Sequence, residues 1–146
     1  MSIRFRSGTN EDIPAMIKAG DTLFDFPIKE KRALEFIEDP RHHIELAYSN
    51  ENLVGFASCF IYVHPDKDPI MFINEVSVLK EFRNQGISAH LVSRLNELAK
   101  DLNCKESWLA TEVDNLPARK SYQNAGGKEE DEKAVVYVFD LKEKNE

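Results

Sequence analysis

Cysteine pairs and long apolar runs are missing from the sequence. Its two cysteines, Cys59 and Cys104, show no CxxC or Cys/His spacing, so we expect reduced core residues rather than a disulfide framework. The histidines lack metal-ligand spacing, and we expect no metal. No stretch reaches the ~18–20 apolar residues of a membrane span. The opening MSIRFRSGTNEDIP has no apolar signal core, so a soluble, cytoplasmic protein is expected.

Basic residues are fewer than acidic residues in the sequence. Lys and Arg number 19 against 26 Asp and Glu, which gives a net charge of −7. Proteins that bind nucleic acid carry clustered Lys and Arg, so this balance argues against that class. Two interpretations of the acidic charge stay open, namely a solvated surface that keeps the protein in solution and a site for a cationic substrate.

Glycine and proline are sparse, with 6 of each, while hydrophobic residues make up 42% and charged residues 31% of the chain. This composition is typical of a folded globular protein. A chain of 146 residues is long enough for one core, so we expect a single domain over residues 1–146. We find no internal repeat, linker or low-complexity block.

Hydrophobic periodicity predicts the order βααβββαβαβ. Strands are predicted at residues 3–7, 44–48, 53–63, 70–79, 107–113 and 134–141, with a short additional strand considered at 127–130. Helices are predicted from about residue 11 to 24, at 28–38, from 87 to 102 and from 115 to 126. An antiparallel first half followed by a β-α-β crossover indicates an α/β fold, with a mixed, mostly antiparallel sheet and helices on both faces.

The stretch VLKEFRNQGISAHLV, residues 78–92, joins a strand-like run to the clearest predicted helix. Unpaired N–H groups at the helix start, together with the helix dipole, favour an anion there. Gly86 lets a ligand approach the backbone, and the small Ser88 and Ala89 leave room for it. Two interpretations are open, an ordinary strand-to-helix turn or a cradle for a phosphorylated ligand.

The neighbouring residues carry a resemblance that favours the second interpretation. Arg83-Asn84-Gln85-Gly86-Ile87-Ser88 resembles the R/Q-x-x-G-x-G/A signature of the GNAT N-acetyltransferase superfamily, with serine at the last position as a departure. Downstream, Asn115, Ala118, Tyr122 and Gly126 match that family's N-x-x-A-x-x-x-Y-x-x-x-G segment. With both motifs in order and a strand between them, the chain is similar to the family over nearly its whole length, which implies the GNAT (acyl-CoA N-acyltransferase) fold.

The resemblance implies acetyl-coenzyme A as co-substrate. Its pyrophosphate would lie on backbone amides of the signature loop and its pantetheine beside the fourth strand, with the backbone amide of Val76 as donor to the thioester carbonyl. Asn115 either contacts the pantetheine or only caps its helix. The implied binding residues are Val76, Ser77, Val78, Arg83, Asn84, Gln85, Gly86, Ile87, Ser88, Ala89 and Asn115.

Two residues are predicted to be catalytic. An amine is protonated at neutral pH and must lose a proton before it attacks, and Glu75 in the apolar run MFINEVSVL is the candidate base. The alternative is that Glu75 projects from the solvent side of its strand. Tyr122 stands where relatives place the acid that protonates the leaving thiolate, and the alternative is a core tyrosine whose hydroxyl finds a partner.

Within the superfamily the resemblance is closest to aminoglycoside 3-N-acetyltransferases. It implies a small cationic acceptor, an aminoglycoside-like amine or a polyamine, contacted by Glu75 and Asp140. Asp25 in the acidic loop FDFPIKEK is a further candidate contact for such a cation. Three hypotheses remain open: such an acetyltransferase, an acetyltransferase for a peptide or protein amine, and an acyl-CoA-binding module without turnover. Relatives are often dimers, so a homodimer is considered.

Overall fold

The computed structural model describes residues 2–142. Its strands are β1 Arg4–Ser7, β2 His42–Ser49, β3 Asn52–Tyr62, β4 Ile70–Val78 and β5 Glu106–Trp108. Its α-helices are α1 Ile13–Ala19, α2 Glu30–Glu38, α3 Ile87–Asp101 and α4 Leu116–Asn124. Short 3-10 turns lie at Asn10–Asp12, Gly20–Thr22 and Lys80–Phe82.

The five strands form one sheet in the order β1-β2-β3-β4-β5. Neighbours from β1 to β4 pair antiparallel, and β5 pairs parallel to β4 after the α3 crossover. This confirms the predicted α/β fold with a mixed, mostly antiparallel sheet. The sequence order and the sheet order are the same, so each strand lies beside its neighbour in the chain, as short connections favour.

Each face of the sheet has its own hydrophobic core. On one face, Leu91 and Leu95 of α3 pack against β3 and β4, and both leucines are fully buried. On the opposite face, Met16 of α1 and Phe36 of α2 pack with Phe56 of β3. Helices on both faces were predicted. The spacing of the leucines in α3 produces a buried apolar stripe, and this stripe packs the helix against the sheet.

The 3-10 turn that leads into α1 is held by a capping box. The Thr9 backbone N–H donates to the Asp12 carboxylate at 2.8 Å, and the Thr9 side chain accepts from the N–H of Glu11. Asp12 is buried, and the Tyr48 hydroxyl donates to it at 2.7 Å. A buried carboxylate needs such partners, so these bonds fix the entry of α1 against β2.

Three predictions about the end of the chain are wrong. The strand expected over residues 107–113 is limited to Glu106–Trp108, and residues 134–141 and 127–130 form no strand. A strand needs a ladder partner, and the ladder between β4 and β5 stops at Trp108. Residues 128–142, hereafter the C-terminal segment, are exposed throughout. The observed order is therefore βααβββαβα.

None of the helices in residues 2–142 combines the length and the apolar character that crossing a bilayer requires.

Candidate active site

The sheet opens between β4 and β5. These two strands pair only from Ile70 to Phe72 on the β4 side, so among the described residues the outer edge of β4 has no sheet partner beyond Phe72. The Leu79 N–H donates to Val54 of β3 at 2.8 Å. Because N–H groups alternate in direction along an antiparallel strand, those of Val76 and Val78 point towards the open edge. The opening thus exposes unused backbone donors.

A β-bulge sets the direction of Glu75. Ser58 pairs with Glu75 and Phe60 with Phe72, while the register shifts between Ser58 and Cys59, which leaves Asn74 as the extra residue. Ser58 and Phe60 are two residues apart and share a face, so Glu75 and Phe72 also share a face despite their odd spacing. That face is the one covered by α1 and α2, and we call it the acceptor face.

Asp25 lies beside Glu75. Asp25 belongs to the loop between α1 and α2, and both carboxyl groups are exposed on the acceptor face. Partial dehydration of the Glu75 carboxyl, followed by the charge of Asp25 and a hydrogen bond between the two side chains, raises the pKa of Glu75. The negative charge of Asp25 therefore disfavours ionisation of the Glu75 carboxyl. The pair is suited to hold a cation and to exchange a proton.

The loop that carries Asp25 is tethered to the sheet. The Ser77 hydroxyl donates to the Leu23 carbonyl at 2.7 Å, and Leu23 is buried. Next to it, Phe24 stacks on Phe56 with ring centroids 4.3 Å apart. These contacts place Asp25 over β4. Because they join residues that are far apart in the chain, no local sequence pattern could indicate this position. Ser77 was predicted to bind the co-substrate, but its hydroxyl is used for this tether.

The signature loop has a backbone that requires glycine. Gly86 immediately precedes α3 with φ of 78°, and Asn84 has φ of 63°, so both lie in the left-handed region. A Cβ on Gly86 would meet no atom within 4 Å, so its conformation, not crowding within the chain, selects glycine. The Arg83 guanidinium donates to the Val78 carbonyl at 3.0 Å, which ties the loop to the end of β4.

Ser88 connects the first turn of α3 to α4. Its hydroxyl forms a short hydrogen bond with the hydroxyl of Ser121, the residue before Tyr122. The Asn115 side chain accepts from the Ala118 N–H at 3.2 Å, so the predicted cap of α4 is confirmed. The serine that departs from the family signature therefore fixes the position of the helix that carries Tyr122.

Tyr122 is half-buried and packs against the α3 core. Burial first, and then the carboxylate of Glu112, raise the pKa of Tyr122. The phenol therefore holds its proton at neutral pH and is able to donate it.

Sequence reasoning missed a row of aromatic side chains on the acceptor face. Phe72 lies 4.5 Å from Trp108 and 5.5 Å from Phe60 between ring centroids, and the Trp108 indole N–H donates to the Tyr62 hydroxyl at 2.9 Å. Trp108 is 44% exposed. The alternation of Phe60 and Tyr62 along β3 was the available signal, because period-two aromatics line one face of a strand.

The structure brings some predicted residues together and leaves one outside. Glu75, Asp25 and the open edge at Val76 share one region, and the loop at residues 83–89 leads from β4 into α3. Asp140 lies in the exposed C-terminal segment, where its carboxylate accepts from the Lys142 N–H at 3.0 Å. The strand predicted to bring Asp140 to the sheet is not formed.

Over residues 2–142 no cluster of three or more His, Cys, Asp or Glu side chains is arranged for a metal ion.

Comparison with known proteins places this geometry in context. The model of the acetyltransferase (GNAT) family matches residues 12–126. Among curated proteins, N-alpha-acetyltransferase 30 of Schizosaccharomyces pombe is 31% identical over 81 residues, which is 56% of this chain and 54% of that protein. Aminoglycoside N(6')-acetyltransferase type 1 of Salmonella typhimurium is 29% identical over 96 residues, 63% of this chain and 66% of that enzyme. The chain thus spans between half and two thirds of these relatives.

Solved structures share the fold. An aminoglycoside acetyltransferase, meta-AAC0020, from an uncultured soil metagenomic sample superposes with a TM-score of 0.84 at 16% identity, covering 96% of this chain and 97% of that one. Coverage this high extends into the C-terminal segment. The aminoglycoside acetyltransferase AAC(6')-Iy bound to a CoA-containing bisubstrate analogue gives 0.79 at 20% identity, covering 97% and 100%. The Salmonella typhimurium enzyme and AAC(6')-Iy are both named for the 6' position, whereas the sequence resemblance suggested 3-N.

Proposed function

Because this chain belongs to the acetyltransferase (GNAT) family, we propose that it transfers the acetyl group of acetyl-coenzyme A to a primary amine of a small cationic acceptor. The observation that carries the proposal is the Glu75–Asp25 carboxyl pair, exposed on the acceptor face beside the open edge of β4. An acid pair attracts an ammonium group, and the raised pKa of Glu75 suits a proton acceptor.

The donor side fits acetyl-coenzyme A. Residues 83–89 combine a left-handed Gly86 with the first turn of a fifteen-residue helix, and the early N–H groups of such a helix favour phosphate. The outward N–H of Val76 is available to a thioester carbonyl at the open edge, where it would stabilise developing negative charge. The bound co-substrate supplies an activated acetyl group. Gly86 and the space above it leave room for its phosphates.

On the acceptor side, the pair would work in two stages. The ammonium group binds first between Glu75 and Asp25, which neutralises part of their mutual repulsion. Glu75 then takes the proton of the amine, directly or through water, and the freed lone pair attacks the acetyl carbonyl. The proton accepted by Glu75 passes to solvent, because its carboxyl is exposed.

Tyr122 is proposed to protonate the departing thiolate. A tyrosine phenol is protonated at neutral pH, so its proton is present when the carbon–sulfur bond breaks. The phenolate then takes the second proton from the nitrogen of the new amide, which restores Tyr122. Ser88 and Asn115 would serve as positioning residues, because one links α3 to α4 and the other caps α4. A contact between Asn115 and the pantetheine is the other role that the sequence left open.

The acceptor is proposed to be an aminoglycoside-like amine or a polyamine. The acidic pair shares its face with the aromatic row, of which Trp108 is partly exposed, and this supports a compact cation, since ammonium groups bind to carboxylates and to aromatic rings. A peptide amine is the second candidate, and the match to an N-alpha-acetyltransferase favours it. We place the reaction in the cytoplasm, where free thiols such as Cys59 and Cys104 stay reduced.

Product analysis tests the proposal. The protein is incubated with acetyl-coenzyme A and, separately, with aminoglycosides, linear polyamines and peptides with a free amine, and acetylated product is detected by mass spectrometry. Glu75→Gln is expected to lower turnover by roughly 10²-fold or more, because a general base contributes about that much. Glu81→Gln, an exposed acid on the turn after β4, is the matched control and should leave turnover unchanged.

Each outcome has a definite meaning. Product on aminoglycosides or polyamines supports the acidic pair as the acceptor site, whereas product only on peptides replaces the small-cation proposal by the second candidate. No product with any amine, together with binding of acetyl-coenzyme A, would favour the binding-module hypothesis. Equal rates for Glu75→Gln and Glu81→Gln would remove Glu75 from the mechanism.

A further inference from the structure

Trp108 has an unusual orientation for an exposed tryptophan. A tryptophan at a protein surface usually packs its apolar ring inwards and turns its N–H group towards water. The N–H group of Trp108 is instead bonded within the protein, to the Tyr62 hydroxyl, although the residue is exposed. The surface that Trp108 presents to solvent is therefore formed by its ring atoms.

The Trp108 ring is fixed at two places. The bond to Tyr62 holds its N–H group, and the Phe72 ring packs against it with centroids 4.5 Å apart. Tyr62 is itself in contact with the rings of Phe60 and His64, at centroid distances of 5.7 Å and 4.8 Å. A side chain that is already fixed loses little conformational freedom when a ligand binds to it. Trp108 thus offers a preorganised apolar surface.

This surface lies one row of side chains away from the carboxyl pair. Trp108 pairs with Phe72 in the β4–β5 ladder, and Phe72 lies opposite Phe60 of β3. Glu75 lies opposite Ser58, which is two residues from Phe60 along β3. A strand rises about 3.4 Å per residue, so the two rows are about 7 Å apart. An amine held at Glu75 would therefore have its carbon skeleton over Phe72 and Trp108.

The Tyr62 hydroxyl adds a polar group to this surface. It accepts the hydrogen bond from the Trp108 N–H, and a hydroxyl that accepts one bond still has its own proton to donate. That proton needs an acceptor atom in the ligand. An ammonium group has no acceptor, whereas the oxygen of a ligand hydroxyl has one. The Tyr62 hydroxyl therefore favours a hydroxylated skeleton over one that carries only amines.

We propose that Trp108 and Tyr62 determine acceptor specificity, and that they select a primary amine carried on a hydroxylated, saturated ring. The apolar C–H face of the ring packs on the indole of Trp108, a ring hydroxyl accepts from Tyr62, and the ammonium group binds at the Glu75–Asp25 pair. This inference rests on the proposed function, because it takes that pair as the place of the reacting amine. It goes further by separating ring amines from linear polyamines.

Calorimetric titration tests the selection of a ring without turnover. The protein is saturated with coenzyme A, which carries no acetyl group, and is titrated with cyclohexylmethylamine or heptylamine, two monoamines of equal carbon number. The ring amine is expected to bind roughly 3- to 10-fold more tightly, because packing on an aromatic ring contributes about that much and a flexible chain loses more freedom on binding. Because both amines are titrated into the same sample, a misfolded fraction does not alter the ratio of the two affinities.

Trp108→Leu should bring this ratio close to one, since it removes the aromatic surface. Leu102→Ala is the control, because Leu102 is a similarly exposed apolar residue at the far end of α3, and it should keep the wild-type ratio. A ratio of one in the wild type, or a ratio that Trp108→Leu leaves unchanged, would overturn the inference.

Tyr62→Phe tests the positioning role of the Tyr62 hydroxyl. The variant keeps the aromatic ring but removes the acceptor of the indole N–H, so the ratio should fall, though less than in Trp108→Leu. In a Trp108→Leu background the same change should have no further effect on these two amines, because it acts on them through the indole. A merely structural role would weaken both amines equally and leave the ratio intact, which would contradict positioning by Tyr62.

A second pair of probes tests the hydroxylated ring. The glucose analogue with an amine in place of its primary hydroxyl is compared with cyclohexylmethylamine, which has the same one-carbon arm but no hydroxyl. Tyr62→Phe should weaken the sugar amine more than the plain ring amine, and this difference should persist in the Trp108→Leu background. Tighter binding of benzylamine than of the sugar amine would overturn the choice of a hydroxylated ring.

The inference and the proposed function can fail separately. Coenzyme A cannot donate an acetyl group, so the titrations measure the preference for a ring even if no amine is acetylated. Acetylation of ring and chain amines with equal kcat/KM would leave the proposed function standing and remove the specificity role of Trp108. Failure of all these amines to bind would overturn the inference directly.

Discussion

The inner strands of the sheet and its β4–β5 edge are built differently. Every residue from 53 to 59 of β3 is buried, with helices on both faces, whereas β5 has three residues and pairs with a β4 that is exposed at Asn74 and Glu75. Burial of apolar surface stabilises the first region, while the second exposes carboxyl groups and backbone donors. Stability and chemistry are thus assigned to separate parts of one small sheet.

The largest effect that would test this division is a core deletion. Phe56→Ala is expected to lower the free energy of unfolding by about 3–5 kcal/mol, because Phe56 is fully buried and stacks on Phe24. Phe26→Ala is the control, since Phe26 is 77% exposed, and it should change stability by no more than about 0.5 kcal/mol. Urea denaturation measures both. Similar losses for the two variants would contradict the division.

Tyr122→Phe should change activity without a large change in stability. Removal of the phenolic proton donor is expected to lower kcat by about 10²-fold and to leave the KM for acetyl-coenzyme A nearly unchanged. The ring still packs against the α3 core, so the denaturation midpoint should stay close to that of the wild type. Steady-state kinetics with a reactive amine acceptor provide the measurement. An unchanged kcat would make Tyr122 a core residue only.

A smaller effect is expected at Asn115, where a cap and a pantetheine contact can be separated. Asn115→Ala removes the acceptor for the Ala118 N–H and should destabilise the protein by about 1 kcal/mol. Asn115→Ser restores a cap but has no side-chain amide. If stability returns with Ser while the KM for acetyl-coenzyme A stays raised, the amide binds the co-substrate. Full recovery of both would leave only the cap.

The smallest predicted effect is a shift along the pH axis. Asp25 raises the pKa of Glu75 through its charge and hydrogen bond, so Asp25→Asn should lower that pKa. Glu75 acts as a base only when it has lost its proton, so the acidic limb of the kcat profile should move to lower pH in the variant. Asp21→Asn, an exposed acid in the 3-10 turn after α1, is the control. A limb that moves to higher pH, or not at all, would contradict the coupling.

Sequence patterns predicted the elements whose stability is local. The leucines of α3 specify a buried stripe by their spacing alone, and Asn115 with Pro117 marks the start of α4 correctly. The strand predicted at residues 107–113 is shorter than expected. The ladder between β4 and β5 ends at the pair Phe72–Trp108, and β4 bulges at Asn74 just beyond that pair. The strand predicted at residues 134–141 does not form. Residues with high strand propensity still need a neighbouring strand to pair with, and the sequence pattern does not show whether one is available.

The site was predictable to a similar degree. The loop at Gly86 and the position of Glu75 on β4 came from motifs, and a left-handed Gly86 agrees with the requirement for glycine there. The approach of Asp25 to Glu75 depends on Ser77 holding the carbonyl of Leu23, a contact between residues 54 apart in the chain. The aromatic row depends on the register of three strands. Pairings at such separations are set by the whole fold.

Trp108 is the single tryptophan of the sequence, and it stands at the border between the acceptor face and the uncovered edge of β5. Its indole N–H is bonded to Tyr62 and its ring contacts Phe72, yet 44% of the side chain meets water. The chain therefore has one tryptophan fluorophore, and it lies beside the face on which the acceptor is proposed to bind. The wavelength of its fluorescence emission therefore reports whether water contacts the indole at that border.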